Sequence, residues 1–565
     1  MMHLLPYLVF AAAVALLVRP TGAYLARVFA GERTLLDPVL RPIERAIFRV
    51  AGVHADDEMQ WPEYGSALLW FAAIGTLVLY AILRLQTVLP GGPDPSFLDT
   101  PMTPDLALNT AVSFSTATTW QAYAGESTMT YLSQVVGLAG QNFLAGATSL
   151  ALGIAFIRGF ARRDTPFIGS FWVDVTRATL WVLLPLAVVG SLVLVWQGVP
   201  MNFAPYVHAT TVDGSQQIIP QGPVAVLALI ENLGTNGGGF FNVNGAHPYQ
   251  NPTPLSNVVQ ALAIAVVPAS LTYTFGRMTG RRGAGWALFG VMLALFAAGI
   301  CVCDAAERAG NPAILGMNVA GGNMEGKETR FGIGGSVLNA VVTSNGACGA
   351  YNSMHGSYTP IGVMVPLVNI LLGEITFGAI GTGLFSMIMV ALIGLFLAGL
   401  MVGRTPEYIG KRLGPREMKP VLVYMLVYPF AILLFTAAAL RSDAALSGLT
   451  TNSGSWGFTE ILFAYASSVG NNGQSMAGLS ANSVYYNFTT AAAMMVGRFF
   501  LAIPALALAG RLASQGRRPT TSGTLPSDTL AFAAIAIAAA ILIGALCFFP
   551  ALLLGPVVEH LSLPR

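Results

Sequence analysis

Ten stretches of roughly twenty apolar residues recur along this chain. They lie near 3–19, 62–85, 131–157, 171–197, 254–275, 284–303, 358–402, 420–440, 485–510 and 529–554. A helix crosses the hydrocarbon core of a bilayer with about 20 such residues. Only 10% of the 565 residues are charged and the mean hydropathy is +0.65, far from the balance of a soluble domain. The expected fold class is therefore an all-α polytopic membrane protein with about ten transmembrane helices. The first stretch has no preceding Lys or Arg and no small-residue cleavage pattern before Arg19-Pro20, so it reads as an uncleaved span.

The positive residues report topology. Arg19, Arg27, Arg33, Arg41, Arg45 and Arg49 fall on one side of the membrane, as do Arg158, Arg162, Arg163, Arg277, Arg281 and Arg282. Arg404, Lys411, Arg412, Arg416, Lys419, Arg511, Arg517 and Arg518 join them. The opposite loops hold only Arg84, Arg308, Lys327, Arg330, Arg441 and Arg565. Positive-inside places the basic loops in the cytoplasm and both termini outside. A net charge of +2 is too small to suggest a nucleic-acid partner.

Between spans the outer loops repeat a pattern. Val224–Ile230 is an apolar run too short to cross, and it ends in Gly234, Thr235, Asn236, Gly237, Gly238 and Gly239. That is the reading expected of a re-entrant pore loop. Non-helical backbone at membrane depth is tolerated only against protein or a hydrated path, and a ring of carbonyls can replace the water around a small cation. Pro104–Ser115, with Thr103 as a candidate cap, leads to Thr116–Tyr123. Gly334–Thr343 leads to Ser344–Asn352, and Phe458–Ser467 leads to Ser468–Met476. With Gln121, Gly237, Gly349 and Gly473 as equivalent points the intervals are 116, 112 and 124 residues, an internal repeat. The expected organisation is an extra span with its cytoplasmic loop (1–61), then pore repeats at 62–165, 166–282, 283–419 and 420–518, then a last extra span (519–565).

Four helix, pore loop, helix units in one chain resemble the superfamily of potassium transporters. The matching stretches are N-T-A-V-S-F at 109–114, W-Q at 120–121, T-N-G-G-G-F-F-N at 235–242, H-P at 247–248, N-P-T at 251–253 and C-G-A at 348–350. Further on stand M-H at 354–355, R-T-P-E-Y at 404–408, R-E-M-K at 416–419 and G-L-S-A-N-S at 478–483. Together they look like the KdpA family, the potassium-binding subunits of the bacterial Kdp ATPase, over nearly the full length. The resemblance implies K+ selected from outside and passed sideways to a P-type ATPase catalytic subunit for ATP-driven uptake at the bacterial inner membrane. It also implies a single-span accessory subunit and a very small helical peptide as partners, beside membrane lipid. Carried over residue by residue, it implies a filter of Thr118, Thr119, Gln121, Asn236, Gly237, Gly238, Cys348, Gly349, Asn471, Asn472 and Gly473. Gln121 stands where a symmetric channel would have glycine, and Cys348 beside Gly349 is read as pore-lining; the other cysteines, Cys301, Cys303 and Cys547, are read as small apolar fillers.

Two ionisable residues fall deep in spans, Glu374 in the seventh and Arg498 in the ninth. A charge there costs at least about 2.5 kcal/mol, so it is paired or lines a hydrated path. Either they pair with each other, or one or both tune the exit path of the cation. Span seven is too long for one crossing and is interrupted at Gly373, Gly378, Gly381 and Gly383, which predicts a break able to plug the straight route inward.

Other features carry less. G-G-N-M-E-G-K-E at 321–328 approaches a phosphate loop, but Glu328 stands where a magnesium-binding Ser or Thr would, and no strand precedes it. No nucleotide is expected on this chain. The six histidines lack metal-ligand spacing; His247 and His355 follow pore loops, where helix-end contacts fit. Glu231 and Glu460 are candidates for attracting cations to the mouth. Lys411–Lys419 sets topology or meets a partner or headgroups. The rival function is a stand-alone channel-like K+ permease driven by the membrane potential. An intramembrane enzyme lacks a catalytic pair.

Overall fold

A computed structural model describes residues 2–89, 101–315, 321–401, 403, 406–519 and 525–563. Arg404 and Arg565, counted above among the loop charges, lie outside the described residues. Ten helices among those described are long and apolar enough to cross a membrane. They are α1 (Leu5–Phe29), α3 (Trp61–Leu85), α5 (Ser133–Ala161), α6 (Phe171–Trp196), α8 (Pro254–Met278), α9 (Arg282–Arg308), α12 (Thr382–Met401), α13 (Pro415–Ala439), α15 (Val484–Ala513) and α16 (Leu530–Ser562). Between them lie the helix α2 (Asp37–Ala51) and four helices that precede loops: α4 (Pro104–Ser115), α7 (Val224–Leu233), α10 (Gly332–Asn345) and α14 (Gly454–Gly470). The seventh crossing is divided, as the glycines predict, into α11 (Pro360–Leu371) and α12, with Leu372–Gly381 non-helical between them.

Strands are confined to connections. β1 (Met59–Gln60) pairs antiparallel with β2 (Phe167–Gly169), β3 (Val207–Thr210) with β4 (Gln216–Ile219), and β5 (Glu407–Tyr408) with β6 (Lys411–Arg412). None was legible in the hydropathy pattern.

Burial sorts the spans. The most apolar window is 89% buried in α5, 72% in α8, 61% in α12 and 56% in α15, against 39% or less in the other six. The four enclosed spans are the ones that follow the short helices and their loops. Their enclosure rests on small residues, which let backbones approach. A Cβ on Gly153 of α5 would lie 2.5 Å from Gly381 Cα, one on Gly159 2.6 Å from Ala509 Cα, and one on Gly497 of α15 1.8 Å from Val469 O. The first and last spans are applied from outside. Gly22 of α1 sits where a Cβ would meet Ser270 O at 2.6 Å, and Thr274 Oγ1 donates to Gly22 O. α1 is longer than the sequence suggests, because buried Val18, Gly22, Leu25 and Ala26 continue its packed face. Arg19 and Arg27 are therefore helical, not loop residues.

Two charges at the basic ends are used inside the protein. Arg158 of α5 makes a two-pronged pair with Asp174 of α6 (2.5 and 2.8 Å), and Tyr64 of α3 donates to the same carboxylate at 3.1 Å. Lys411 is fully buried, and its ammonium donates to the carbonyls of Arg162 (2.7 Å), Leu512 (2.7 Å) and Gln515 (2.6 Å). It thus caps the C-terminal ends of α5 and α15, where the carbonyls lack helical partners, and its charge is not available to headgroups. Removing one member of a buried pair leaves an uncompensated charge, at about 3–5 kcal/mol. Asp174→Ala should therefore lower the thermal unfolding midpoint of the purified protein by many degrees, while exposed Arg45→Ala should leave it within a degree or so.

Candidate functional site

Each of the four short helices stops in the same way. One residue just past it turns left-handed: Ala117 (φ 62°), Thr235 (51°), Ala347 (50°) and Asn471 (58°). The following N–H then reaches back to a carbonyl of the last turn. Thr118 N donates to Ser113 O at 3.0 Å, Asn236 N to Glu231 O at 2.9 Å, Cys348 N to Thr343 O at 3.1 Å and Asn472 N to Ser467 O at 2.9 Å. This closure satisfies a helix-end carbonyl and turns the chain toward the axis of the bundle.

The hydrogen-bond register makes Thr118, Asn236, Cys348 and Asn472 counterparts, followed by Thr119, Gly237, Gly349 and Gly473. Thr119, not Gln121, therefore stands where the other three loops have glycine. The spacing based on Gln121 was two residues off, because the first loop has no glycine to mark the turn and α4 ends at Ser115. Gln121 lies further out, its Nε2 donating to Gly239 O (3.0 Å) and Tyr123 OH (3.2 Å). Thr119 adopts φ 51°, a conformation that costs a β-branched residue about 1–3 kcal/mol. Its hydroxyl compensates by donating to Thr118 O at 2.8 Å and to Asn236 O in the neighbouring loop.

The four loops meet. Gly349 N donates to Asn236 O (3.3 Å), Gln474 Nε2 to Cys348 O (3.1 Å) and Asn471 Nδ2 to Thr118 Oγ1 (2.8 Å). Gly237 (φ 90°) leaves no room for a side chain: a Cβ would lie 2.4 Å from Gly349 N. At Gly473 (φ 88°) it would lie 2.3 Å from Thr118 O. Asn142 of α5 holds the second loop from behind, donating to Gly237 O (3.2 Å) and accepting from Asn236 Nδ2 at its own carbonyl (2.7 Å).

Above the loops is a vestibule with about 960 Å³ of atom-free space, lined by Thr119, Gln121, Tyr123, Gly349, Gly473 and Ser475 among others. No charged side chain among the described residues lines it. Below the loops a cavity of about 80 Å³ begins at Ala117, Thr235 and Asn471 and extends to α13 and α16. The converged loops separate the two spaces.

Glu374 and Arg498 both line the lower cavity. They do not pair. Glu374 Oε1 accepts from Asn472 Nδ2 at 2.7 Å, while Arg498 Nη2 donates to Ser149 Oγ (2.8 Å) and Thr148 Oγ1 (3.1 Å) of α5. Among the described residues no carboxylate lies within 4 Å of Arg498, which is 6% exposed. The break carrying Glu374 is fastened under the loops: Ile380 N donates to Thr235 Oγ1 at 2.9 Å, and Gly381 packs on Ser149 O.

Three expectations change. The Cys348 thiol lines neither space; it donates to Glu231 O at 3.4 Å, behind the second loop. Glu231 and Glu460 are buried away from the vestibule, accepting from Gln250 Nε2 (2.5 Å) and Asn452 Nδ2 (3.1 Å) respectively. Thr103 makes no side-chain cap to α4. His247 stacks on Phe241 at 3.6 Å, and burial with Arg330 nearby pushes its pKa down to about 4. It therefore adds no positive charge outside the loops at neutral pH. Sequence reasoning missed Asn142, Thr148 and Ser149; their signal was polar side chains within the most enclosed span.

The fold and site define a multi-pass helical membrane protein in which the loops after four short helices meet between a polar vestibule and a second cavity. The family model described as KdpA, potassium-transporting ATPase A subunit, matches residues 8–561, and the chain belongs to that family. The potassium-transporting ATPase potassium-binding subunit of Methylobacterium nodulans is 52% identical over 98% of this chain and 96% of the relative. That of Bradyrhizobium diazoefficiens is 49% identical over 99% and 98%. The crystal structure of the potassium transporter TrkH from Vibrio parahaemolyticus superposes with a TM-score of 0.49 at 12% identity, over 75% of this chain and 82% of that one.

Gly237→Ala should push the second and third loops apart. The expected result is a KM for K+ raised at least about tenfold, or complete loss of uptake, as misplaced ligating groups cost about a hundredfold. Gly198→Ala, also at positive φ but with nothing within 4 Å, should leave KM unchanged. Uptake assays in a strain lacking its own high-affinity K+ system measure both.

Proposed function

We propose that this chain is the K+-binding and K+-selecting subunit of an ATP-driven potassium pump, not itself an ATPase. The observation that carries the reading is the convergence of Thr118–Thr119, Asn236–Gly237, Cys348–Gly349 and Asn472–Gly473 between the two spaces. Backbone carbonyls and the Thr119 hydroxyl there supply neutral oxygens that can replace the hydration shell of one monovalent cation. The vestibule attracts it through dipoles rather than fixed charge.

The rest of the site fits a pump better than a permease. The segment Leu372–Gly381, tied to Thr235 and Asn472, stands across the straight route inward. The lower cavity instead reaches sideways to Tyr424 and Met425 of α13 and to Gly544 and Cys547 of α16. A cation leaving the filter therefore moves laterally, past Glu374 and Arg498, toward a partner in the membrane. That partner is a P-type ATPase catalytic subunit, which hydrolyses the ATP; a single-span accessory subunit and a very small helical peptide complete the complex. The membrane is the bacterial inner membrane, with the vestibule outside. Arg498 discourages the cation from lingering in the cavity, and Glu374 offsets the cost of the dry passage.

The test is ATPase activity of the tagged protein purified with whatever accompanies it, titrated with K+ and with Na+. Stimulation by K+ alone, lost when the partners are eluted, is the expected result. A lone chain that conducts K+ in liposomes without associated ATPase would instead establish the permease. Arg498→Gln keeps the hydrogen bonds to α5 feasible and removes the charge; uptake should fall at least about tenfold with unchanged yield of folded complex.

A further inference from the structure

Helix α2 carries three rows of residues, each repeating at the helical spacing. Leu40, Glu44 and Phe48 are buried against the protein. Val39, Ile43, Ile47 and Val50 form a second row, exposed by 66%, 44%, 38% and 90%, and Leu35 just before it is 99% exposed. Arg41, Arg45 and Arg49 form the third row. At 100° per residue the buried row is centred roughly 100° from each of the other two, and the apolar and arginine rows are roughly 155° apart around the remaining side.

Among the described residues nothing covers this face, and its chemistry says what does. Five large apolar side chains in one patch, three of them largely exposed and Ile43 and Ile47 partly so, are not stable against water. Glu44 accepts from Arg177 Nε of α6 at 2.9 Å, fixing the middle of α2 beside the first turns of that span. Trp172, five residues before Arg177 in the same helix, is itself 37% exposed, as an aromatic at a membrane interface is. The apolar row thus lies near the end of α6 that carries this exposed aromatic. On the opposite side Arg41 is paired with Asp37 at 2.7 Å, but Arg45 and Arg49 have no acidic partner among the described residues. The balance left over is cationic.

We infer that α2 lies in the membrane interface as an in-plane anchor, with Val39, Ile43, Ile47 and Val50 among the acyl chains and Arg45 and Arg49 bound to anionic lipid headgroups. The inference does not depend on which ion is carried or on ATP. A helix with one apolar and one arginine-rich face gains both from apolar burial and from attraction to acidic lipid. In this position it braces the connection between α1 and α3, and through Arg177 the base of α6.

The test uses the protein with its co-purifying partners, in nanodiscs of phosphatidylcholine with or without phosphatidylglycerol. With Cys301 and Cys547 replaced by Ala, a spin label is placed at Val50→Cys or at Arg45→Cys. The label at 50 should be accessible to oxygen and shielded from a water-soluble nickel complex, and the label at 45 should show the reverse. Native mass spectrometry should then find phosphatidylglycerol retained over phosphatidylcholine, with that preference falling at least about fivefold in Arg45→Gln/Arg49→Gln at unchanged melting temperature. Both labels shielded from both reagents would mean that a protein subunit covers the face and would overturn the inference. So would nickel access at position 50, or an unchanged lipid preference in the double variant.

Discussion

Irregular backbone enclosed in a bundle of apolar helices has groups that neither lipid nor apolar side chains can satisfy, and four short helices of this chain hand over to such backbone where their loops meet. Everything central to the structure answers that requirement. The left-handed turns at Ala117, Thr235, Ala347 and Asn471 each return an N–H to the helix before it. Asn142, Gln474 and the Thr119 hydroxyl supply donors to carbonyls of loops other than their own or of the loop they buttress. The enclosure of α5, α8, α12 and α15 keeps lipid away from all of it, and the small residues on these helices are what make the enclosure close enough.

The same economy extends beneath the loops. The break between α11 and α12 exposes another stretch of irregular backbone, and it is bonded to the loops above through Ile380 and Glu374 rather than to a separate scaffold. Loop, break and cavity wall thus behave as one connected unit. Arg498 joins α15 to α5 through two hydroxyls, and Lys411 joins the same two helices at their basic-side ends.

Most of the architecture was legible in the sequence, because membrane spans announce themselves by length and hydropathy. The ten spans, the helix Pro104–Ser115 and the interruption of the seventh crossing follow directly from apolar runs and glycine placement. The loop residues were legible as a group, since a small polar cluster after a half-length apolar run marks re-entrant backbone in a membrane protein. Their register was not. It is set by where each helix ends and which carbonyl the next N–H finds, and in the first loop no glycine records that point, so Thr119 was passed over for Gln121. Side-chain direction was hidden for the same reason: Cys348, Glu231 and Glu460 stand at the expected places along the chain but turn behind the loops. The pairing of Glu374 with Asn472 instead of Arg498 depends on the path of the non-helical break that carries Glu374, which hydropathy does not encode.

A ring made from four copies of one polypeptide repeats every side chain four times. Here the four quadrants are segments of a single chain, and the floor carries one Glu374 and one Arg498. A fourfold set of either would place like charges around one cavity, multiplying both the desolvation cost and the mutual repulsion. Covalent continuity is thus what permits a solitary buried cation and a solitary carboxyl in the same chamber, each with hydroxyl or amide neighbours of its own. It also gives the chamber a direction. A fourfold ring has no preferred side, whereas a floor with one distinct quadrant points toward one flank of the protein.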